Sequence, residues 1–274
     1  MKFLLTLFSF ALCVSSYPLY TCPTWMQQSG VMNDLAVLAD SVSSLPSYTD
    51  VNGVCNVYTC IQEIDGLYQT RMRIYENLSG DKFVVFRPTQ QTPEGTAIHA
   101  DRQMVPCQFL GDHCSGLVLE KFQTAFQSLI NQVKSGIWDS NHYIYTTGHS
   151  LGASFSVMMG IYLFNLYNIQ PRIILNMAGP FFGDAEFNTI YLDPLHDLMR
   201  DRFWMISTIN QNDLSEFDGT IEGYNTPGPI FINIQQNVLC GIPIPKLEDS
   251  YGMHDLRNYQ LFFIGKDCVL TYGD

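Results

Sequence analysis

A serine flanked by two glycines is the residue whose surroundings indicate chemistry most directly. Residues 148–152 read Gly-His-Ser-Leu-Gly, a G-x-S-x-G pattern centred on Ser150. On a tight turn between a strand and a helix, such a serine exposes its Oγ while the helix N-terminus faces the negative charge that develops in the reaction. The pattern therefore predicts a nucleophile for attack on a carbonyl carbon.

The sequence on either side predicts the two elements that this turn requires. Residues 143–147 have the apolar, β-branched composition of a strand, and residues 153–166 have that of a helix. A second strand is predicted at residues 172–176, and the order strand, helix, strand indicates a mostly parallel sheet. The alternative, an ordinary glycine-rich turn that binds phosphate, is not accompanied by a Walker lysine or a G-x-G-x-x-G pattern.

A serine nucleophile needs a histidine base, and two histidines follow Ser150 in the chain. His196 lies in a polar stretch typical of a solvated loop or a helix start. His254 follows a Ser-Tyr-Gly turn near the C-terminus, where a loop could fold back over the sheet. In strand-turn-helix sites the order is serine, acid, histidine, so His254 is predicted to be the base.

The acid that orients the histidine is expected just beyond a strand. Asp213 follows a strand predicted at residues 203–209 and is the predicted acid. Asp218 is the rival, although its neighbour Gly219 makes a simple turn the plainer interpretation.

Further elements are predicted around these positions. Apolar spacing predicts amphipathic helices over residues 31–45 and 118–133, and another strand at residues 230–234. Residues 67–75 and 82–86 are predicted to form a hairpin. The turn between them, residues 77–81, contains the sequon Asn77-Leu78-Ser79, so Asn77 is a predicted glycosylation site.

The N-terminus has the pattern of a signal peptide. Lys2 is followed by an apolar run over residues 3–14 and then by small residues. This run is shorter than the about 20 residues that a membrane anchor needs. We expect residues 1–16 to be a cleaved signal, residues 17–274 to form one domain, and the product to be secreted.

Charge and cysteine content exclude several classes of protein. The 274 residues include 14 Lys and Arg against 26 Asp and Glu, so no basic surface for nucleic acid is expected. No further run reaches transmembrane length. No Cys-x-x-Cys pair with a matching histidine set occurs, so neither a metal nor a cofactor is predicted.

Several segments in the correct order resemble the class 3 lipases, the fungal lipase-like α/β-hydrolases. Gly-His-Ser-Leu-Gly-Ala is similar to the usual family elbow, and Val-Val-Phe-Arg-Pro-Thr to the family strand that ends in Phe-Arg-Gly-Ser/Thr. Other matching segments are Gly-Pro-Phe-Phe-Gly-Asp with Phe187, Asn-Asp at 212–213, Gly-Tyr with Gly228, and the histidine followed by Tyr259 and Cys268. The resemblance implies an α/β-hydrolase fold, with a mostly parallel central sheet flanked by helices.

The resemblance also implies roles for individual residues. Ser150, Asp213 and His254 would form a catalytic triad that works through an acyl-enzyme. The oxyanion hole would comprise the backbone N–H of Leu151 together with the N–H and hydroxyl of Thr89. His149 would pack behind the elbow and take no part as a base.

Two departures from the family pattern bear on these roles. Pro88 replaces the family glycine, which reshapes the oxyanion loop if that position requires a positive φ. Asp213 is followed by Leu-Ser-Glu where the family has an apolar residue and proline. The segment 90–101, where the family carries its lid, has few apolar side chains, as in the feruloyl esterases of the same family.

The same comparison suggests the disulfides. Cys13 leaves with the signal, so seven cysteines remain in the mature chain. Cys22 with Cys268 would tie the N-terminal part to the C-terminus, while Cys55 with Cys60 and Cys107 with Cys114 would be local bridges. Cys240 is then left over, either as a buried thiol or for an intermolecular bridge.

The expected function is therefore a secreted serine esterase that cleaves acylglycerols or related esters, with substrate met in a pocket or at a lipid–water interface. A feruloyl or short-chain esterase and a phospholipase of the same family remain alternatives. A different class of function is also open, namely a catalytically silent hydrolase-fold protein that binds a lipid or a partner.

Overall fold

The computed structural model describes residues 19–21, 31–46, 48–52, 56–100, 102–139, 141–177, 179–199, 203–207, 231–233 and 269–271. The predicted signal peptide, the predicted acid and base, and four of the seven cysteines of the predicted mature chain lie outside these ranges. The residues concerned are 1–16, Asp213, Asp218, His254, Cys22, Cys55, Cys240 and Cys268.

Twelve strands occur in the described part of the chain. They are β1 (Leu19–Thr21), β2 (Val51–Asn52), β3 (Val57–Asp65), β4 (Arg71–Glu76), β5 (Lys82–Phe86), β6 (Met104–Pro106), β7 (Leu117–Leu119), β8 (Ile144–His149), β9 (Ile173–Met177), β10 (Phe203–Ser207), β11 (Phe231–Asn233) and β12 (Val269–Thr271).

The main helices within the described residues are α1 (Val31–Ser44), α2 (Pro93–Ala100), α3 (Glu120–Ile130) and α4 (Leu151–Tyr167). A further helical segment follows β9. It consists of a short turn (Ala185–Phe187), a π-helical turn (Asn188–Leu192) and a final α-helical stretch (Asp193–Met199). None of the described helices has both the length and the apolarity needed to cross a bilayer.

Eight of the strands form one mixed sheet in the order β11-β10-β9-β8-β5-β4-β3-β2. The pairs from β5 through β8, β9 and β10 to β11 are parallel, while those from β5 through β4 and β3 to β2 are antiparallel. With helices packed against this sheet, the fold is α/β, as the sequence predicted. The strand β8 lies inside the parallel half, where all six of its residues are buried.

Most of the predicted elements form close to their predicted bounds, including the helix at residues 31–45 as α1 and the strands at 203–209 and 230–234 as the shorter β10 and β11. The strand, helix, strand unit at residues 143–176 forms as β8, α4 and β9, and the hairpin forms as β4 and β5. The long predicted helix at 118–133 is shorter, because its first apolar residues belong to β7, which pairs with β6. Residues 67–69, predicted to be part of a strand, form a tight turn in which Tyr68 has a φ of 56°.

Helix α4 is the centre of the hydrophobic core. Twelve of its residues are buried, which explains why its sequence is apolar on all sides. It packs against β5, β8, β9 and α3. Phenylalanine rings join the two helices: Phe155 of α4 contacts both Phe122 and Phe126 of α3 at centroid distances of 6.0 and 6.1 Å.

The turn between β4 and β5 is built around the side chain of Asn77. Its Oδ1 accepts hydrogen bonds from the backbone N–H groups of Ser79 and Asp81, each at 3.0 Å. Its Nδ2 donates to Asp81 Oδ2 at 3.2 Å, and the residue is 9% exposed. The amide that would carry a glycan is thus part of the turn, and glycosylation of Asn77 stays a prediction.

Two of the described cysteines lie at disulfide distance. Cys107 and Cys114 have their Cα atoms 5.2 Å apart and close the loop between β6 and β7. Cys60 on β3 is a buried thiol, whose Sγ donates to the carbonyl of Gln62 at 3.6 Å. Burial raises the pKa of this thiol. Its predicted partner Cys55 lies outside the described residues, so that pairing stays a prediction.

A buried arginine ties helix α1 to the antiparallel half of the sheet. Arg73 on β4 is 1% exposed, and its Nε lies 2.5 Å from Glu63 Oε2 on β3. Its Nη1 donates to the carbonyl of Ser41 at 2.8 Å and its Nη2 to that of Leu45 at 2.7 Å. Both carbonyls lie at the C-terminal end of α1; that of Ser41 also accepts from the N–H of Leu45 at 3.0 Å, while that of Leu45 lies beyond the last helical residue.

We expect Arg73→Ala to lower the free energy of unfolding by about 3–5 kcal/mol, because it removes the closest cation from the largely buried carboxylate of Glu63 and the side-chain donor from the carbonyl of Leu45. The matched control is Arg71→Ala on the same strand. The side chain of Arg71 is 24% exposed, and it pairs with the solvent-exposed Asp65. That change should cost no more than about 1 kcal/mol. Urea unfolding of both variants measures the difference, and equal losses would contradict the assignment.

Candidate active site

The backbone at Ser150 has the geometry of a sharp strand-to-helix turn. Ser150 follows the last residue of β8 and precedes the first residue of α4, with φ 54° and ψ −128°. Its N–H donates to the carbonyl of Met177 on β9 at 2.9 Å, and its carbonyl accepts from the N–H of Ala153 at 2.9 Å. A non-glycine residue in this region is strained, and such strain persists only where the surroundings enforce it.

The two glycines of the motif are required by close backbone contacts. A Cβ on Gly148 would lie 2.2 Å from the carbonyl oxygen of Gly152, so the strand and the helix approach each other more closely than side chains allow. A Cβ on Gly152 would lie 2.3 Å from the carbonyl oxygen of Phe86 at the end of β5. Helix α4 therefore starts against the carboxyl ends of both β8 and β5.

The strand register brings the proposed oxyanion loop beside the serine. In the parallel pair of β5 and β8, Phe86 is aligned with Gly148. Ser150 and Thr89 then follow two and three residues beyond this pair, at the same edge of the sheet. Carboxyl ends of parallel strands at such an edge are the usual location of ligand sites in α/β folds.

Pro88 fits the loop without strain. Positive φ values among the described non-glycine residues occur at Tyr48, Tyr68, Gln69, Ser150 and Asn168, and thus not at residues 87–89. A proline is compatible with this backbone, since its ring holds φ near −65°. The N–H of Arg87 still donates to the carbonyl of Arg71 at 2.9 Å, which keeps the loop joined to β4.

The hydroxyl of Thr89 is hydrogen-bonded to a histidine. Thr89 Oγ1 lies 2.7 Å from Nε2 of His99, which is on α2. From the sequence, residues 90–101 were interpreted only as a polar lid segment, and His99 was not identified as a site residue. Its spacing of ten residues from Thr89 has no periodic meaning, so no signal in the sequence could have found this contact.

The loop after β9 supports the elbow from the other side. The N–H of Gly179 donates to Asn176 Oδ1 at 2.8 Å, and Ser154 Oγ on α4 donates to the carbonyl of Pro180. Asp184 Oδ1 accepts from the N–H of Phe187 at 2.8 Å and so caps the next helical turn. This is the Gly-Pro-Phe-Phe-Gly-Asp segment on which the resemblance partly depends.

The remaining predicted residues are distributed as follows. Leu151 begins α4, and His149 is buried at the end of β8 with 6% of its surface exposed. His196 lies within the final α-helical stretch of the segment after β9, in a helix and not in a loop. Asp213 and His254 lie outside the described residues, so the triad stays a prediction. Within the described residues, no three His, Cys, Asp or Glu side chains group as metal ligands would.

We expect Gly152→Ala to abolish ester hydrolysis, because the added methyl group collides with backbone atoms of β5 and displaces the start of α4. The matched control is Gly160→Ala on the same helix. There the methyl group would meet Cδ1 of Ile174 at 2.3 Å, the movable end of a side chain. Activity per folded molecule, with folding followed by circular dichroism, compares the two variants. Full activity of Gly152→Ala would contradict this account of the elbow.

The family comparison agrees with this geometry. Residues 83–214 match the family model described as Lipase (class 3). The matched residues run from β5 through the elbow and β9 to just beyond β10. No curated protein matches the sequence significantly.

Solved structures with a similar fold are fungal lipases. Lip2 lipase from Yarrowia lipolytica has a TM-score of 0.63 at 16% identity, over 94% of this chain and 89% of that chain. Its nonglycosylated form gives a TM-score of 0.64 at 16% identity, over 94% and 88%. Lipase II from Rhizopus niveus gives 0.50 at 16% identity, over 69% and 73%. Together with the match over residues 83–214 and the elbow, this likeness supports a carboxylic ester hydrolase of the class 3 lipase type with the α/β-hydrolase fold.

Proposed function

We propose that the protein is a secreted serine esterase of the class 3 lipase type, which cleaves acylglycerols or related carboxylic esters through an acyl-enzyme. The observation that carries this proposal is the strained backbone of Ser150 between a buried strand and a buried helix. Proteins retain such strain chiefly at functional sites, and a structural turn would not require it.

In the proposed reaction, Ser150 Oγ attacks the ester carbonyl while His254 takes its proton. His254 then gives this proton to the leaving alcohol, and a water molecule repeats the sequence to release the acid. Asp213 holds the imidazole in the correct tautomer. The oxyanion is bound by the N–H of Leu151, at the N-terminus of α4, and by the N–H and hydroxyl of Thr89.

The backbone of residues 87–89 bears on the alternative of a catalytically silent binding protein. The silent alternative rested on Pro88 and on the sequence after Asp213. Because residues 87–89 avoid positive φ, proline at this position is compatible with a working loop. Removing one oxyanion donor costs about 10²- to 10³-fold in kcat, so an intact loop matters.

The polar surface of α2 favours soluble, short-chain esters among the possible substrates. Among its eight residues, Pro-Glu-Gly-Thr-Ala-Ile-His-Ala, Ile98 is the one large aliphatic side chain, so α2 has little apolar surface to expose even if it moves. A lid that opens onto lipid needs an apolar face to present to the interface. Within the family, this observation supports a short-chain or feruloyl-type esterase ahead of an interfacial triacylglycerol lipase or a phospholipase.

Secretion is supported by two independent features. The N-terminal pattern is that of a signal peptide, and the pair Cys107–Cys114 lies at disulfide distance. Disulfides persist in oxidising compartments outside the cytosol. N-terminal sequencing of the exported protein should therefore begin near Tyr17.

Ser150→Ala should lower kcat for p-nitrophenyl butyrate by at least about 10⁴-fold, because the nucleophile is lost. Ser156→Ala, a buried serine on the same helix whose Oγ only bonds the carbonyl of Ala153, is the matched control and should retain activity. A fluorophosphonate probe should label the wild type at Ser150. If the probe does not label the wild type, and the wild type hydrolyses the ester no faster than Ser150→Ala, the protein is not a serine esterase.

The predicted acid and base are each tested against a control residue of the same type. His254→Ala and Asp213→Asn should each lower kcat by about 10⁴-fold, the loss seen when a triad histidine loses its base function or its tautomer. His196→Ala and Asp218→Asn should leave kcat within about twofold of the wild type, because neither belongs to the proposed triad. A large loss in Asp218→Asn with an active Asp213→Asn would assign the acid to Asp218.

The rate of hydrolysis should be higher for p-nitrophenyl acetate and butyrate than for the palmitate ester. It should not rise when the ester concentration passes the point at which micelles form. The physical reason is the scarcity of large apolar side chains on α2, which leaves little apolar surface to present to lipid. Initial rates on both sides of the micellar transition measure this. A sharp rise at that transition would favour the interfacial lipase.

A further inference from the structure

We propose that His99 on α2 is a positioning residue for the oxyanion hole, which directs the hydroxyl proton of Thr89 towards the oxyanion. The inference rests on the proposed function, in which Thr89 is an oxyanion donor. It adds a residue that belongs neither to the proposed triad nor to the oxyanion hole. It also links helix α2, which lies in the lid segment 90–101, to the proposed chemistry.

The contact itself is short and joins two different elements. Thr89 Oγ1 and His99 Nε2 are 2.7 Å apart, a distance typical of a strong hydrogen bond. Thr89 lies in the loop after β5, beside the elbow, whereas His99 lies in the last turn of α2. Both residues are half-buried, so solvent competes only partly for the bond.

The imidazole of His99 is held in place by its packing. Its ring meets that of Phe122 edge to face, with centroids 5.8 Å apart and an interplanar angle of 76°. Phe122 is 1% exposed and belongs to the core stripe of α3. The neighbouring Ile98 is fully buried and anchors the same turn of α2.

Helix α2 is in turn hydrogen-bonded to the body of the protein. Lys121 Nζ on α3 donates to the carbonyl of Ala97 at 2.9 Å. Gln69 donates from Nε2 to Glu94 Oε2 at 3.2 Å and accepts at Oε1 from the hydroxyl of Thr92 at 2.8 Å. These bonds hold α2 near its N-terminus and at Ala97 in its second half, so the position of His99 follows from how α2 is docked.

The direction of the hydrogen bond decides what Thr89 can do. A hydroxyl has one proton to donate, besides two acceptor lone pairs. If Thr89 donates to Nε2, its proton points at the ring and is not available to the oxyanion. If Nε2–H of His99 donates to Oγ1, the hydroxyl proton is free to point into the site. We infer that His99 is the donor.

The test compares variants that keep or remove the donor. His99→Phe retains an aromatic ring against Phe122 but has no N–H, and His99→Gln retains an N–H at a similar reach. His99→Leu is a second apolar variant, and Thr89→Val removes the hydroxyl. kcat and KM for p-nitrophenyl butyrate are measured for the wild type, each single variant and the double variant Thr89→Val with His99→Phe. Thermal unfolding shows that each is folded.

We expect His99→Phe to lower kcat about tenfold, the effect of one lost hydrogen bond, with KM changed less than about twofold. His99→Gln should recover most of that loss. In the Thr89→Val background, His99→Phe should have no further effect, because the hydroxyl that it positions is already absent. An unchanged kcat in His99→Phe, or an equal loss in both backgrounds, would overturn the proposal.

A measurement on the wild type does not depend on how variants fold. In ¹⁵N-histidine NMR, the signals of His99 are those that are missing from the spectrum of His99→Gln. The proposal requires that Nε2 of His99 carries a proton in the wild type. An unprotonated Nε2 that accepts from Thr89 would overturn the proposal. If the wild type neither hydrolyses these esters nor is labelled at Ser150, the proposed function fails and this inference with it. Activity and labelling with an unaffected His99→Phe reject the inference alone.

Discussion

The rest of the site depends on one strained residue. Ser150 is held at φ 54° and ψ −128°, a conformation that costs a non-glycine residue about 1–3 kcal/mol. Two buried elements sustain this cost: β8, inside the parallel half of the sheet, and α4, surrounded by the core. Gly148 and Gly152 let the two backbones meet at distances that no Cβ would allow. The packing of the core thus offsets the strain at Ser150 and holds this proposed nucleophile in place.

The order of the strands decides which residues surround that serine. Because β5 pairs with β8 in parallel, with Phe86 beside Gly148, the loop carrying Thr89 ends next to the elbow. On its other edge β5 pairs with the antiparallel strands, and the buried Arg73 joins these to the end of α1. The antiparallel half therefore supports the strand from which the proposed oxyanion loop extends.

Helix α2 belongs to the lid segment and also contacts the proposed oxyanion loop. Its exposed face is polar, its Ile98 is buried, and its hydrogen bonds to Gln69 and Lys121 keep it docked on the body. Through His99 it also contacts the hydroxyl of Thr89. The lid segment, which the sequence showed only to have few apolar side chains, therefore contacts Thr89, a residue proposed to stabilise the oxyanion.

The sequence by itself determined the local elements whose pattern is strong: β8, the Gly-His-Ser-Leu-Gly turn, α4 and the β4–β5 hairpin. Apolar periodicity and glycine placement are local signals, and they were sufficient for the strand-turn-helix elbow at Ser150 and for the fold class. The sequence was insufficient for β3 and α2, because their stability comes from pairing and docking with distant segments. Only the tertiary structure placed His99 against Thr89 and Arg73 against the carbonyls of α1. Both contacts are hydrogen bonds between elements that no spacing rule relates, so they exist only once the chain has folded.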